Sequence, residues 1–133
     1  MDKKKLIQEA LSAREKAYAP YSGFMVGAAL LSASGTVYHG CNVENASYPA
    51  TNCAERTALF AAIAAGEREF DAIAIVGGIK GAVPSQFCYP CGICRQVLSE
   101  FVSPDSFLVL VAKSETEYEE FWLKDLLPYG FTL

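Results

Sequence analysis

The sequence has 133 residues, of which 52% are hydrophobic and 20% charged, a composition that excludes intrinsic disorder and predicts one domain over residues 1–133. Eleven basic and fifteen acidic side chains give a net charge of −4, which argues against a nucleic-acid partner, because such proteins neutralise many phosphates. The sequence contains no run of about 18 apolar residues, which a membrane span would need, and no recognisable signal peptide. We therefore expect a cytoplasmic protein. The high apolar content predicts an oligomer.

The amino-terminal part predicts one helix followed by a β-hairpin. Apolar residues recur at three- and four-residue steps over residues 3–17, the period of an amphipathic helix, and Pro20 should end it. An apolar run over residues 24–31, a Ser-Gly turn and a second run over residues 36–38 predict two antiparallel strands. Residues 42–52 predict a polar loop.

The middle of the chain predicts a helix, a strand and a loop. Residues 53–65 are alanine-rich and apolar nearly all round, which predicts a helix buried between other elements, with Gly66 as its C-cap. Residues 72–76 form a short apolar strand. The stretch from residue 77 to residue 89 contains three glycines and predicts a loop.

The carboxy-terminal part predicts another helix, two strands and a final turn. Pro90 suits the first helical position of a segment that continues to Phe101. Residues 107–111 predict an apolar strand, residues 118–123 an edge strand, and residues 126–131 a short turn. Strands without polar alternation, separated by helices, favour a sheet with parallel neighbours covered by helices.

The cysteines indicate a metal or redox site. Their number is odd and three of them are separated by two residues, which suits such a site in a reducing compartment better than a disulfide framework. The single histidine excludes metal sites that need two imidazoles. The cysteines are Cys41, Cys53, Cys88, Cys91 and Cys94.

Two short motifs together predict a catalytic zinc site. Cys91 and Cys94 form a CxxC pair in the first turn of a predicted helix, where free N–H groups and the helix dipole stabilise thiolates. This pair alone also fits a redox dithiol, but Cys53-Ala54-Glu55, at another helix start, completes the three-ligand signature of zinc deaminases. Three ligands leave a fourth position for water, whose pKa zinc can lower to about 7. Glu55 is predicted to move the proton.

The spacing of Cys53 and Glu55 predicts the directions of their side chains. In a regular helix, Glu55 should point away from Cys53, leaving one side chain for the metal and the other for the substrate side. Thr51 or Asn52 is the predicted N-cap of this helix.

Charge counting adds Arg56 to the site. Three thiolates and Zn²⁺ sum to −1, a weaker Lewis acid than zinc held by neutral imidazoles. The guanidinium of Arg56 can donate hydrogen bonds to thiolates, so we predict that it tunes the charge of the zinc-thiolate group. An ordinary salt bridge to an acidic neighbour is the alternative.

Five segments resemble the small homotetrameric zinc cytidine deaminases. They are Tyr18-Ala19-Pro20-Tyr21-Ser22, Phe24-x-Val26-Gly27-Ala28-Ala29, Gly40-Cys41-Asn42-x-Glu44-Asn45-Ala46, Cys53-Ala54-Glu55-Arg56-Thr57-Ala58 and Pro90-Cys91-Gly92-x-Cys94-Arg95-Gln96. The resemblance implies an α/β fold, a three-layer α/β/α sandwich around a mixed, largely buried five-stranded sheet. It also implies hydrolysis of cytidine and deoxycytidine in pyrimidine salvage, one zinc ion per subunit on Cys53, Cys91 and Cys94, and Glu55 as the proton shuttle.

The same resemblance implies which residues contact the substrate, a small-molecule nucleoside. Phe24 is expected against the pyrimidine, and Asn42 and Glu44 on the ribose hydroxyls, since alternate residues of an extended segment can face one side. Phe131 is expected to reach the site of a neighbouring subunit in a homotetramer. The remaining expected contacts are Ala46 and Tyr48, from another subunit, and Ala54.

Two alternatives stay open at this point. Cys88 could be the fourth ligand of a closed, non-enzymatic Cys₄ zinc module. The same chemistry could also act on a polynucleotide, a free base or a cytosine-containing antibiotic. The net charge disfavours the polynucleotide and the pair Asn42 and Glu44 disfavours the free base, whereas nothing disfavours the antibiotic. Tyr89 departs from the family pattern, which commonly has a serine there.

Overall fold

Helices alternate with strands along most of the chain in the computed structural model, which describes residues 1–133. The elements are α1 (Lys3–Arg14), β1 (Phe24–Ser32), β2 (Val37–Cys41), α2 (Ala54–Ala64), β3 (Phe70–Ile79), α3 (Gly92–Phe101), β4 (Leu108–Ala112), β5 (Tyr118–Trp122) and α4 (Leu123–Leu126), with a 3₁₀ turn at Tyr48–Ala50. None of the helices combines the length and the apolar character needed to cross a bilayer.

The strands form one five-stranded sheet in the order β2-β1-β3-β4-β5. β3 and β4 pair in parallel, and all other neighbours are antiparallel. The predicted hairpin is confirmed, with Leu30 opposite Tyr38. The expectation of parallel neighbours holds for β3 and β4 alone, because α3 supplies the crossover that a parallel pair requires, whereas a tight turn joins β1 to β2.

Helices cover both faces of the sheet, as the predicted three-layer sandwich requires. α1 packs on one face, where Ile7 and Ala10 are fully buried against the strands. α2 and α3 cover the other face, where Leu59 and Leu98 belong to a second core. β4 is buried along its whole length, as expected of a strand covered on both sides.

Helix α2 is buried on one side and open on the other. Ala54, Ala58 and Ala62 are fully buried, whereas Phe60 is 47% exposed. The prediction of burial between other elements is therefore wrong for this face in the single chain, because Phe60 lines an open groove beside α3 and the carboxy-terminal tail.

The start of α2 lies very close to β2 because residue 40 is glycine. A Cβ atom at Gly40 would lie 2.2 Å from the carbonyl oxygen of Ala54 and 2.5 Å from the nitrogen of Ala58. The missing side chain thus sets the position of the first turn of α2, which carries Glu55.

Two element boundaries differ from the predictions. α1 ends at Arg14 rather than near residue 17, and β3 continues past residue 76 to Ile79. Gly77 and Gly78 extend the ladder opposite β1 instead of starting a loop. Glycine within a strand marks a close approach of other groups. The Cys88 side chain approaches Gly77, and the backbone of Pro84 and the Arg14 side chain approach Gly78.

The start of α3 and the carboxy-terminal tail also differ in detail. Cys91 is the N-cap of α3, so Pro90 precedes the helix instead of occupying its first position. The predicted edge strand is confirmed as β5, but the tail begins with the short helix α4 before its final turn.

Arg14 ends α1 by turning its side chain into the sheet. The residue is 5% exposed. Its Nε donates to the carbonyl of Met25 at 3.1 Å, and its Nη2 donates to the carbonyls of Ile79 at 2.8 Å and Ala82 at 2.9 Å. Arg14 therefore ties together the ends of β1 and β3, next to Phe24.

Replacing Arg14 with methionine is expected to lower the free energy of unfolding by about 2–4 kcal/mol. The buried Met25 carbonyl left unpaired costs roughly 1–3 kcal/mol, and two part-buried hydrogen bonds are lost as well. Urea denaturation of the zinc-loaded protein measures this change. The control is Arg68→Met, since Arg68 is exposed and donates to carbonyls at the surface. Equal losses in the two variants would contradict this account of Arg14.

Candidate active site and metal centre

Three thiols from two helix starts converge on one point. Cys53 immediately precedes α2, Cys91 is the N-cap of α3, and Cys94 lies in the first turn of α3. Their sulfur atoms all lie within 4.8 Å of one another, and the sulfurs of Cys53 and Cys91 are 3.9 Å apart. The structure thus brings together residues separated by about forty positions in the sequence.

The backbone at each helix start orients the thiols. The Cys94 N–H donates to the sulfur of Cys91 at 3.4 Å, as a capping interaction. Cys53 is the N-cap of α2 and makes no capping hydrogen bond with its side chain, so its thiol stays free to face the other two. The prediction of Thr51 or Asn52 as the cap is wrong, because the Asn52 amide donates to the hydroxyl of Thr57 instead.

The donor set fits a zinc ion. Tetrahedral zinc with bonds of about 2.3 Å to sulfur places neighbouring sulfurs about 3.8 Å apart, close to the 3.9 Å between Cys53 and Cys91. Three soft sulfur donors suit zinc rather than magnesium or calcium. The cluster formed by Cys53, Cys91 and Cys94 is therefore positioned to bind one zinc ion.

Arg56 contacts the cluster directly. Its Nη2 donates to the sulfur of Cys53 at 3.2 Å. The pKa of the Cys53 thiol is lowered to about 5, first by its hydrogen bond with Cys94 and next by Arg56. The same contact between the two thiols raises the pKa of Cys94. These contacts favour the thiolate form of Cys53, beside the guanidinium.

Glu55 is buried next to the thiols. It is 4% exposed, and burial, together with the negative charge of Cys53, raises the pKa of its carboxyl group to about 6. The carboxyl group also interacts with the thiol of Cys94. Cys53 lies outside the regular helix as the N-cap of α2, so the direction of Glu55 relative to Cys53 stays a prediction.

Asn42 and Glu44 both contact the start of β1. The Asn42 side chain donates to the carbonyl of Phe24 at 2.8 Å and accepts from the N–H of Val26 at 2.9 Å. The Glu44 carboxylate accepts from the N–H groups of Tyr21 and Ser22 at 3.0 and 3.1 Å, and from the Ser22 hydroxyl. The surrounding backbone thus fixes the directions of both side chains, Asn42 at the start of β1 and Glu44 at the residues before it.

The other predicted contact residues lie in different environments. Phe24 is half-buried at the start of β1, and Ala54 is fully buried at the start of α2. Ala46 and Tyr48 are exposed, and the Tyr48 ring packs edge-on against Tyr21 with centroids 6.3 Å apart. The single chain therefore does not close the site over these last two residues.

Phe131 lies in a groove away from the thiols. Its backbone is held by the Gln96 side chain, which donates to its carbonyl at 2.8 Å and accepts from its N–H at 3.4 Å. The groove, of about 390 Å³, is lined by residues of α2, α3 and the tail, among them Phe60 and Phe101, and by none of the three cysteines of the cluster. The Phe131 side chain is 64% exposed.

Cys88 lies outside the cluster. Its sulfur does not belong to the group that could share one ion, so the closed Cys₄ module is not favoured. Sequence reasoning also missed Arg14, although an arginine at the end of an apolar helix face could have signalled an inward-pointing side chain.

Comparison with known proteins decides the family. Residues 1–110 match the family model described as the cytidine and deoxycytidylate deaminase zinc-binding region. The chain belongs to this deaminase family. The cytidine deaminase of Sporosarcina psychrophila is 50% identical to it, over 99% of this chain and 93% of the relative. That of Halalkalibacterium halodurans is also 50% identical, over 99% of this chain and 96% of the relative.

Solved structures of the deaminase family share the fold. The crystal structure of cytidine deaminase from Burkholderia pseudomallei superposes with a TM-score of 0.85 at 53% identity, covering 96% of this chain and 97% of the other. That from Mycobacterium tuberculosis has a TM-score of 0.83 at 41% identity, covering 100% of this chain and 99% of the other. The mixed sheet with flanking helices is therefore the fold of these deaminases, as predicted.

Proposed function

We propose that this protein is a zinc-dependent hydrolase that converts cytidine and deoxycytidine to uridine and deoxyuridine, with release of ammonia, in pyrimidine salvage. The observation that carries the proposal is the convergence of three thiols beside a buried carboxyl group. In this proposal residues 1–133 form one catalytic domain. Five free cysteines suit a cytoplasmic, reducing location.

Glu55 performs the proton transfers of the proposed reaction. The chemistry supplied by bound zinc is the activation of a water molecule near neutral pH. Glu55 takes a proton from the attacking water and delivers it to the ring nitrogen beside the amino-bearing carbon. It then takes the remaining proton from the added hydroxyl group and transfers it to the departing amine, which leaves as ammonia while the hydroxyl becomes the ring carbonyl. Burial beside the thiols keeps this carboxyl group away from bulk water.

Phe24, Asn42 and Glu44 recognise the nucleoside in this proposal. Phe24 offers an aromatic face to the pyrimidine. Asn42 and Glu44 keep free lone pairs and one amide hydrogen beyond their contacts with β1, and these can bind ribose hydroxyls. A missing hydroxyl would leave a polar group unpaired, which favours nucleosides over the free base. Ala54, packed at the start of α2, borders the pocket.

Arg56 draws negative charge from the thiolates in this proposal. Its contact with the sulfur of Cys53 at 3.2 Å supports that role. Arg56→Gln is therefore expected to lower kcat roughly tenfold or more while lowering zinc content much less, since outer partners of metal ligands are worth about 10–100-fold. Steady-state kinetics and metal analysis of the same preparation measure both quantities. Unchanged turnover would end the idea.

The proposal includes a homotetramer with shared active sites. The open face of α2 around Phe60 and the exposed ring of Phe131 support it, because both leave apolar surface uncovered in one chain. Ala46 and Tyr48 are exposed in one chain and would complete the pocket of a neighbouring copy. Phe131 would do so from the carboxy-terminal tail.

Phe131→Ala tests the shared site. The KM for cytidine is expected to rise about tenfold, because an aromatic wall contributed by a neighbouring copy is lost, while zinc content stays the same. Tyr129→Ala is the matched control, since Tyr129 lies in the same tail and its side chain is fully exposed. An identical KM in both variants would argue against a shared site at Phe131.

The proposed function itself is tested by incubating zinc-loaded protein with cytidine, deoxycytidine, cytosine and a cytosine-containing oligonucleotide. Ammonia release is expected from the two nucleosides and not from the base or the oligonucleotide. Release from the oligonucleotide alone, or from none of the four, would contradict the proposal.

A further inference from the structure

Cys88 lies beside the metal centre without belonging to it. Burial raises the pKa of its thiol to about 11, and the negative charges of Glu55 and Cys53 add to this effect. The thiol is therefore protonated and uncharged at neutral pH. Because the charges of both groups reach it, Cys88 lies at the edge of the same site.

The Cys88 side chain packs on the end of the central sheet together with Phe24. A Cβ atom at Gly77 would lie 2.9 Å from the Cβ and the Sγ of Cys88, and 2.9 Å from Cε1 of Phe24. Both side chains therefore rest on Gly77 and adjoin each other there. The side chains of Cys88 and Phe24 thus form one apolar surface over Gly77.

Two aromatic neighbours hold Cys88 in this direction. The rings of Phe87 and Tyr89 lie 6.3 Å apart, and Tyr89 packs against Phe121 of β5 at 6.0 Å. The Tyr89 hydroxyl is also hydrogen-bonded to the Glu119 carboxylate. Tyr89 thus packs on β5, whereas Cys88, between the two rings in the sequence, lies against Gly77 of β3.

We propose that Cys88 forms, with Phe24, one wall of the substrate pocket, and that its small size sets how closely the cytosine ring approaches Glu55. This inference rests on the proposed function. An uncharged thiol presents a neutral, polarizable surface to an aromatic ring. A longer side chain at this position has no free space over Gly77 and would displace either Phe24 or the substrate.

Chemical protection tests the position of Cys88 in the unmodified enzyme. Zinc-loaded protein is alkylated with iodoacetamide at mildly alkaline pH, with and without saturating uridine, and labelling of each cysteine is followed by mass spectrometry. Uridine is expected to slow the labelling of Cys88 several-fold and to leave Cys41 unchanged, since Cys41 lies on the edge strand β2. Equal labelling of Cys88 in both samples would overturn the inference.

A size change tests the effect of Cys88 on binding. Cys88→Met adds a methylene and a methyl group. It is expected to raise the KM for cytidine at least tenfold, since one extra methylene group in an apolar pocket already costs about 10–200-fold, with zinc content unchanged and kcat much less affected. Cys41→Met is the matched control and should leave KM unchanged. A KM for Cys88→Met equal to that of the parent protein would overturn the inference.

The two levels of the proposal can fail separately. If the parent protein releases no ammonia from cytidine, the proposed function fails, and the proposed role of Cys88 in the pocket wall fails with it. If the parent protein deaminates cytidine but uridine does not protect Cys88 from alkylation, only the proposed role of Cys88 in the pocket wall fails.

Discussion

Replacing Glu55 with glutamine is expected to lower kcat for cytidine by about 10²–10⁴-fold, the usual contribution of a positioned general acid and base. Glutamine has nearly the same shape but cannot accept and return a proton. Zinc content should stay at one ion per chain, because the proposed ligands are Cys53, Cys91 and Cys94. Ammonia release under saturating substrate, measured beside metal analysis, gives both quantities.

The control for this variant is Glu69→Gln, which removes a carboxylate from an exposed position. It should retain full activity. If Glu55→Gln retained a kcat close to that of the parent protein, the carboxyl group would not be the proton carrier. If it lost its zinc, its lower activity would say nothing of proton transfer, and a structural role of Glu55 in the metal centre would replace the proposed one.

Removal of one thiol is expected to have the second large effect. Cys53→Ser should weaken zinc binding by more than about 100-fold, because even partners that only contact a metal ligand are worth 10–100-fold. Activity should fall below detection. The melting temperature should fall and become insensitive to added zinc, since a ligand that binds the folded state stabilises it. Metal analysis and thermal unfolding with and without zinc measure these changes.

Cys41→Ser and Cys88→Ser are the controls for the loss of a thiol. Both should keep one zinc ion per chain, because neither sulfur belongs to the cluster. Loss of zinc from Cys88→Ser would revive the closed Cys₄ module. Retention of zinc and activity by Cys53→Ser would remove Cys53 from the site.

The sequence predicted most of the framework, for identifiable physical reasons. Apolar residues recur at helical spacing in α1, and the strands are short apolar runs. The presence of these elements and of the β1-β2 hairpin was therefore predicted correctly. The motifs that carry Cys53, Cys91 and Cys94 predicted a shared site because together they match the three-ligand signature of zinc deaminases. The structure places these three sulfurs within 4.8 Å of one another.

Errors arose where tertiary contacts determine local structure. Gly77 and Gly78 predicted a loop, but they continue β3 because Phe24, Cys88 and Pro84 pack closely against them. The predicted cap of α2 was wrong because capping propensity alone favoured Asn52, whereas the structure uses its amide to bind Thr57. The contacts of Phe24, Cys88 and Pro84 with the two glycines have no signal within a single segment of sequence.

The direction of Glu55 relative to Cys53 stays a prediction, because it was argued from helical spacing. Helical spacing applies only within a helix, and the N-cap position of Cys53 places that residue outside the regular part of α2. Cys88 shows the same limit. Its spacing from Cys91 suggested metal binding, whereas its direction depends on Phe87 and Tyr89 packing towards β5.

X-ray absorption at the zinc edge of the loaded protein tests the central claim most directly. The account predicts one zinc ion with three sulfur neighbours at about 2.3 Å and one lighter neighbour, since the cluster supplies three thiols and leaves a position for a non-protein ligand. Four sulfur neighbours would contradict the account, because a closed site has no place for the reacting water.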